Sequence, residues 1–121
     1  MNIINKLDFN NFNSNIICDH KSYSYNDLYL DIKRFSSILN DRYLVFIITE
    51  NSYDCLVGYC STLYHNSVVA LINNSIDKNL LLNLFKRFKP SFVYQSINDM
   101  QYDNWDVEFN FGNYILYKTN Y

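Results

Sequence analysis

Residues 43–90 read YLVFIITENSYDCLVGYCSTLYHNSVVALINNSIDKNLLLNLFKRFKP, in which short continuous apolar runs alternate with amphipathic stretches. A continuous run rich in β-branched residues is the pattern of a strand covered on both faces, and a three-to-four spacing of apolar residues is that of a helix packed on one side. Strand, helix, strand, helix in succession calls for a parallel sheet flanked by helices. We therefore expect strands at Tyr43 to Ile48, Ser67 to Ile72 and Phe92 to Tyr94. Between them should run one helix capped by Asn51 or Ser52, carrying Leu56, Tyr59, Cys60 and Leu63, and another capped by Asp77, carrying Leu80, Leu81, Leu84, Phe85 and Phe88. Pro90 stops the second helix, and Lys86, Arg87 and Lys89 suit its negative end.

The sequence before this run adds a hairpin and a helix. Ile16 to Cys18 and Ser22 to Ser24 flank the polar connection Asp19, His20 and Lys21. Ser24 precedes Asp27 in capping-box spacing, so a helix begins near Tyr25 with Leu28, Ile32, Phe35 and Leu39 on one face. The Asn-rich residues 1–15 place Ile3, Ile4, Leu7, Phe9 and Phe12 in a short helix or an extended arm. Residues 95–112, with Asp99, Asp103, Asp106 and Glu108 around Trp105, read as a loop or a short edge element, and residues 113–117 as a last strand that needs a sheet to pair with. The expected architecture over residues 1–121 is one α/β domain, a three-layer α/β/α sandwich with a mostly parallel sheet and an edge hairpin.

Chemistry is sparse. With 10 basic and 12 acidic residues the net charge is −2, too weak a field to favour nucleic acid or an anionic membrane surface. No apolar run reaches the roughly 18 residues of a membrane helix, and the first residues, MNIINKLDF, lack a signal-peptide core. Cys18, Cys55 and Cys60 form no CxxC pair and have no histidine at zinc-like spacing. They read as small apolar residues in a reducing, cytoplasmic compartment.

Gly58 and Gly112 are the only two glycines, so neither GxGxxG nor a P-loop can be built. The first strand–helix turn, Thr49, Glu50, Asn51 and Ser52, has none. Gly58 lies inside a helix, where glycine costs about 1 kcal/mol against alanine, and implies a close helix–strand approach. Cys60 and His65 are five apart on one helix and turned away from each other; His65 reads as a partner of the helix dipole and His20 as a turn residue. The acidic group lacks calcium-loop spacing, and the helical period points Phe85 and Phe88 inward rather than toward a nucleic acid. No residue is assigned a catalytic, cofactor-binding or metal-binding role.

Several segments together resemble a known family. They are Ser22 to Leu28 (SYSYNDL), Leu44 to Ile48 followed by Asn51, the Gly58-Tyr59 helix, Val68 to Ile72, and Phe88-Lys89-Pro90 before Phe92-Val93-Tyr94. In order and spacing they are similar to the N-terminal subdomain of the adenylate-forming, AMP-binding superfamily, which includes acyl-CoA synthetases and peptide-synthetase adenylation domains. The turn His65-Asn66 and the segment Ile72 to Asp77 depart from that pattern, where Gly-Ala and a proline are usual. The resemblance implies a ligase that activates a carboxylate with ATP and Mg²⁺. It also implies that this chain is an N-terminal scaffold, inactive alone, binding no cofactor itself and packing on the remainder of the ligase. The family's phosphate loop and catalytic lysine match no position here. Two alternatives stand beside it: a free-standing α/β binding or protein-interaction module, and a small flavodoxin-like nucleotide binder. Exposed apolar surface is expected to drive self-association, through the unpaired edge of strand 113–117.

Overall fold

The computed structural model describes residues 15–18 and 20–121; Ile3, Ile4, Leu7, Phe9, Phe12 and Asp19 lie outside the described residues. Strands β1 (Asn15–Cys18) and β2 (Lys21–Ser24) pair antiparallel, and His20 adopts the left-handed conformation in their turn (φ 65°). They form a two-stranded sheet of their own. The hairpin expected at the edge of the main sheet is therefore a separate unit, with Ile16, Cys18 and Tyr23 packed against the core beneath it.

Helix α1 (Tyr25–Lys33) opens on the predicted capping box: the Ser24 hydroxyl accepts from the Asp27 N–H at 3.0 Å, and the Asp27 carboxylate accepts from the Ser24 N–H at 3.1 Å. The helix is shorter than its apolar face. Beyond Lys33 the chain continues through tighter turns, with the N–H groups of Arg34, Phe35 and Ser36 each bonding a carbonyl three residues back. Phe35 and Leu39 are buried with Leu28 and Ile32 all the same.

The main sheet contains β3 (Leu44–Thr49), β4 (Val68–Asn73), β5 (Phe92–Ser96), β6 (Asp106–Phe111) and β7 (Tyr114–Lys118), in the order β4-β3-β5-β7-β6. The pairs β3–β4 and β3–β5 are parallel, whereas β5–β7 and β6–β7 are antiparallel. The sheet is thus mixed, with three parallel strands extended by a hairpin. Residues 95–112, expected as a loop or a short edge element, contain the edge strand β6 and the end of β5. β6 escapes sequence reading because its six residues DVEFNF are mostly exposed and give no continuous apolar run.

Helix α2 (Tyr53–Tyr64) joins β3 to β4 and helix α3 (Lys78–Phe88) joins β4 to β5. The second crossover runs in the opposite direction along the sheet and uses the opposite face, so both keep the same hand. On one face α1 and α2 cover Val45, Ile47, Phe92, Tyr94, Tyr114 and Leu116. On the other, α3 packs Leu81 and Phe85 against Phe46, Ile48 and Val93. Alternate residues of β3 thus serve the two layers, as the pleat requires. Three layers are present, but the mostly parallel sheet expected is corrected to a mixed one, since two of its four pairings are antiparallel.

The buried face of α2 differs from the expected stripe. Val57, Gly58, Cys60, Ser61 and Thr62 are buried, while Leu56, Tyr59 and Leu63 are only partly so. The helix presents small residues to the sheet, and a Cβ on Gly58 would collide with the ring of Tyr94. The hydroxyls of Ser61 and Thr62 donate to the carbonyls of Val57 (2.6 Å) and Gly58 (2.8 Å), so they are buried at little cost.

Candidate interaction surface

The two edges of the main sheet are built differently. β6 carries the exposed carboxylates of Asp106 and Glu108, and its pairing with β7 is interrupted by a bulge between Val107 and Phe109. Charge and irregularity are the usual means of closing a sheet edge to further strands. β4, VVALIN, has neither: its pairing with β3 is regular over all six positions, and it contains no charge and no proline. The Val68 N–H bonds the Tyr43 carbonyl, so the alternation of the strand turns the N–H and C=O of Val69 and Leu71 outward.

Among the described residues no strand pairs with this edge, and apolar side chains line it on both faces. Val68 and Leu71 are 43% and 54% exposed. On α3, Leu80 and Phe88 are each 51% exposed, and with Leu84 between them they form a ridge at i, i+4 and i+8. A cavity of about 230 Å³ lies where this ridge meets the sheet, lined by Leu44, Phe46, Ala70, Ile72, Leu84 and Phe88, all apolar. Phe88 was expected in the core with Phe85; only Phe85 is buried, and Phe88 stands at the surface with the Arg87 guanidinium 5.5 Å from its ring centre. Lys86, Arg87 and Lys89 are exposed around it, and Lys89 ends the helix in the left-handed conformation.

The other residues singled out by sequence converge on no chemistry. Cys60 lies in the core, where burial pushes its thiol up to about 11 and keeps it protonated at neutral pH. His65 is the C-cap of α2, with Nε2 3.4 Å from the Ile32 carbonyl oxygen. Burial lowers its pKa, Lys33 adds to the effect and the backbone hydrogen bond opposes it, so the ring is not the cationic dipole partner expected. Among the described residues no three His, Cys, Asp or Glu side chains are placed to hold a metal ion. Burial raises the pKa of Asp99, while Asp103, Asp106 and Glu108 are solvated.

Two further hollows lie near the carboxyl ends of the parallel strands. One of about 150 Å³ is lined by residues including Ile48, Lys78, Gln95, Asp99 and Tyr102. A more open one of about 280 Å³ lies over Thr49, Glu50, Asn51 and Ser52, with Cys18, Tyr59 and Leu71 also in its lining. Ser52 spends its hydroxyl capping α2, accepting from the Cys55 N–H at 3.2 Å.

Sequence reasoning missed Asp54. Its carboxylate accepts from the Asn113 N–H at 2.9 Å, and its carbonyl accepts from the Tyr94 hydroxyl at 2.7 Å. It ties the start of α2 to the β6–β7 turn, where Gly112 takes a φ of +55° and a Cβ would collide with this same carboxylate. A glycine at the centre of that turn was the available signal.

Comparison with known proteins gives a fold and no family. No family model matches the chain, and no curated protein matches it. The chain is similar to a solved structure, the crystal structure of IdnL1, with a TM-score of 0.65 at 11% identity over 87% of this chain and 24% of that chain. It therefore spans about a quarter of the length of the protein it matches. At that identity the likeness is one of fold alone. The resemblance to the adenylate-forming superfamily is accordingly corrected: nothing in these comparisons assigns this chain to it. With it go the fold described as part of a ligase N-terminal domain, the role as scaffold of an AMP-forming ligase, and the partial-enzyme, acyl-CoA synthetase-like description. The short motifs behind the resemblance are those of any strand–helix alternation with a capping box, so they mark the architecture more strongly than the family.

Proposed function

We propose that the chain is an α/β protein-interaction module that takes up an extended apolar segment of a partner protein as a sixth strand beside β4. The contrast between the two sheet edges carries this reading: β6 is charged and bulged, and β4 is regular, uncharged and flanked by the Leu80, Leu84 and Phe88 ridge. In strand addition, main-chain hydrogen bonds supply affinity and alternate side chains entering pockets supply specificity. The outward groups of Val69 and Leu71 serve the first need and the apolar cavity beside Ala70 and Ile72 the second.

The nucleotide-binder alternative is less favoured, because the 150 Å³ hollow is below the roughly 300–1,000 Å³ of small-molecule sites and the larger one is shallow. No cofactor is assigned to the module; ATP and Mg²⁺ entered only through the ligase resemblance. No helix among the described residues is long and apolar enough to cross a membrane. A reducing, cytoplasmic setting is the reading we adopt, supported by the buried thiols of Cys55 and Cys60.

The test is selection of short extended segments from a displayed peptide library on the full chain. Ligands rich in alternating apolar residues are expected, binding the wild type and Val107→Lys alike and losing affinity for Leu71→Lys. Ligands indifferent to Leu71→Lys, or a monomeric chain on which the selection yields none, would overturn the proposal.

A further inference from the structure

Building on that reading, we infer that the strand filling the β4 edge is β4 of a second copy of this chain, paired antiparallel about a two-fold axis through Ala70. The register follows from which groups are available. Val69 and Leu71 direct their N–H and C=O groups away from β3, whereas the Asn73 carbonyl is already taken by the Ile76 N–H. Centring the axis on Ala70 sets Val69 against its counterpart's Leu71 and the reverse. The outward donors and acceptors of Val69 and Leu71 in the two copies, four of each, then join in four hydrogen bonds. Centring it on Leu71 would ask the Asn73 carbonyl to accept a second hydrogen bond beside that of the Ile76 N–H.

The side chains fit the same axis. Opposed residues in an antiparallel pair without hydrogen bonds approach to about 4.5 Å between Cα atoms, and of the three such pairs here the one on the axis is alanine against alanine. Val68 meets Ile72 of the other copy on the face that carries α3, and Val69 meets Leu71 on the face that carries α2. An axis normal to the sheet also keeps both α3 helices on one side. The two ridges of Leu80, Leu84 and Phe88, half exposed at Leu80 and Phe88, are then brought toward each other over the joined strands.

Self-pairing also removes a choice of partner on electrostatic grounds. In an isologous contact every charge near the axis meets its own copy, so an edge suited to it must be uncharged. β4 and the residues lining the adjoining cavity contain no charge. β6 paired with itself would confront Asp106 and Glu108 with their own kind across a bulge. The product is a continuous ten-stranded sheet made of two five-stranded ones.

Light scattering and sedimentation of the full chain are expected to give twice the 14.5 kDa mass of one copy. Leu71→Lys, at an exposed position, should weaken dimerisation about tenfold or more, a loss of about 1.4 kcal/mol or greater. Val107→Lys, on the opposite edge, should leave it unchanged. Ala70→Cys should form an intermolecular disulfide with oxidised glutathione that the wild type, with its native cysteines, does not. A monomeric wild type that still selects strand ligands through β4 would overturn the dimer and leave the interaction reading standing; a monomer that selects none would overturn both. A dimer untouched by Leu71→Lys and giving no Ala70→Cys cross-link would overturn this interface.

Discussion

Gly58 shows how one residue sets the separation of two layers. The ring of Tyr94 occupies the space where its side chain would stand, and the Tyr94 hydroxyl reaches on to the Asp54 carbonyl. Alanine at position 58 would recover about 1 kcal/mol of helix propensity but would have to displace a fully buried ring and its hydrogen bond. Overpacking of this kind costs about 1–3 kcal/mol, so Gly58→Ala is expected to be net destabilising, read as a lowered denaturation midpoint. A stabilised variant would contradict the packing described. The close approach was legible from a glycine inside a helical pattern; the identity of Tyr94 as its cause was not, because nothing in sequence joins positions 58 and 94. Asp54 was silent for the same reason, its partner Asn113 lying 59 residues away.

Elements whose signals are local were read well. The start of α1 and both ends of α3 follow from Ser24 with Asp27, and from Asp77 with Pro90, because capping groups act within three residues of the groups they satisfy. Ser24→Ala removes the acceptor for the Asp27 N–H and is expected to cost about 1 kcal/mol, seen as a lower unfolding midpoint with unchanged fold by circular dichroism. No loss of stability would mean that the box contributes nothing to holding α1. Elements whose nature depends on neighbours were read less well. β7 was expected as an exposed edge inviting a second chain, yet it is paired on both sides, by β5 and β6. The edge role passes to β4, whose continuous apolar run suits a strand covered on both faces but is half open here. The expected faces of α2 and of Phe88 failed because the helical period finds a stripe without saying how much of it the sheet covers.

Across the whole molecule the aromatic side chains divide between the cores on the two faces of the sheet, and the buried tyrosines give a definite response to pH. Of the 12 tyrosines, Tyr53, Tyr94, Tyr102 and Tyr114 all have their pKa raised, burial being the largest cause in each, and Tyr102 is pushed up to about 12. The Tyr114 hydroxyl donates to the Ile48 carbonyl at 2.8 Å, and Tyr53 donates to the Asp31 carboxylate at 2.6 Å. Tyr102 stacks on Trp105 beside Phe85 and Tyr117. Above about pH 10 the unfolded chain releases phenolic protons that the folded chain retains, so these groups favour unfolding increasingly as pH rises. Their stabilisation is complete below pH 10, and the part due to Tyr102 is lost as pH rises through about 12. Absorbance titration near 295 nm should accordingly show a tyrosine fraction that ionises only with loss of near-ultraviolet dichroism. Complete ionisation of the tyrosines with that dichroism intact would contradict this burial.

The sequence by itself determined the strand–helix alternation, the helix caps and the glycine-free first turn, since each depends on residues a few positions apart. Only the tertiary structure decided the strand order, the mixed character of the sheet, the separation of the β1–β2 hairpin and which edge stays open. Those properties arise from pairings across long stretches of chain, where hydrogen bonds between backbones carry no sequence label. The open β4 edge is the clearest case: its six residues look the same in sequence whether a strand lies beside them or not, and only the order β4-β3-β5-β7-β6 leaves them at the end.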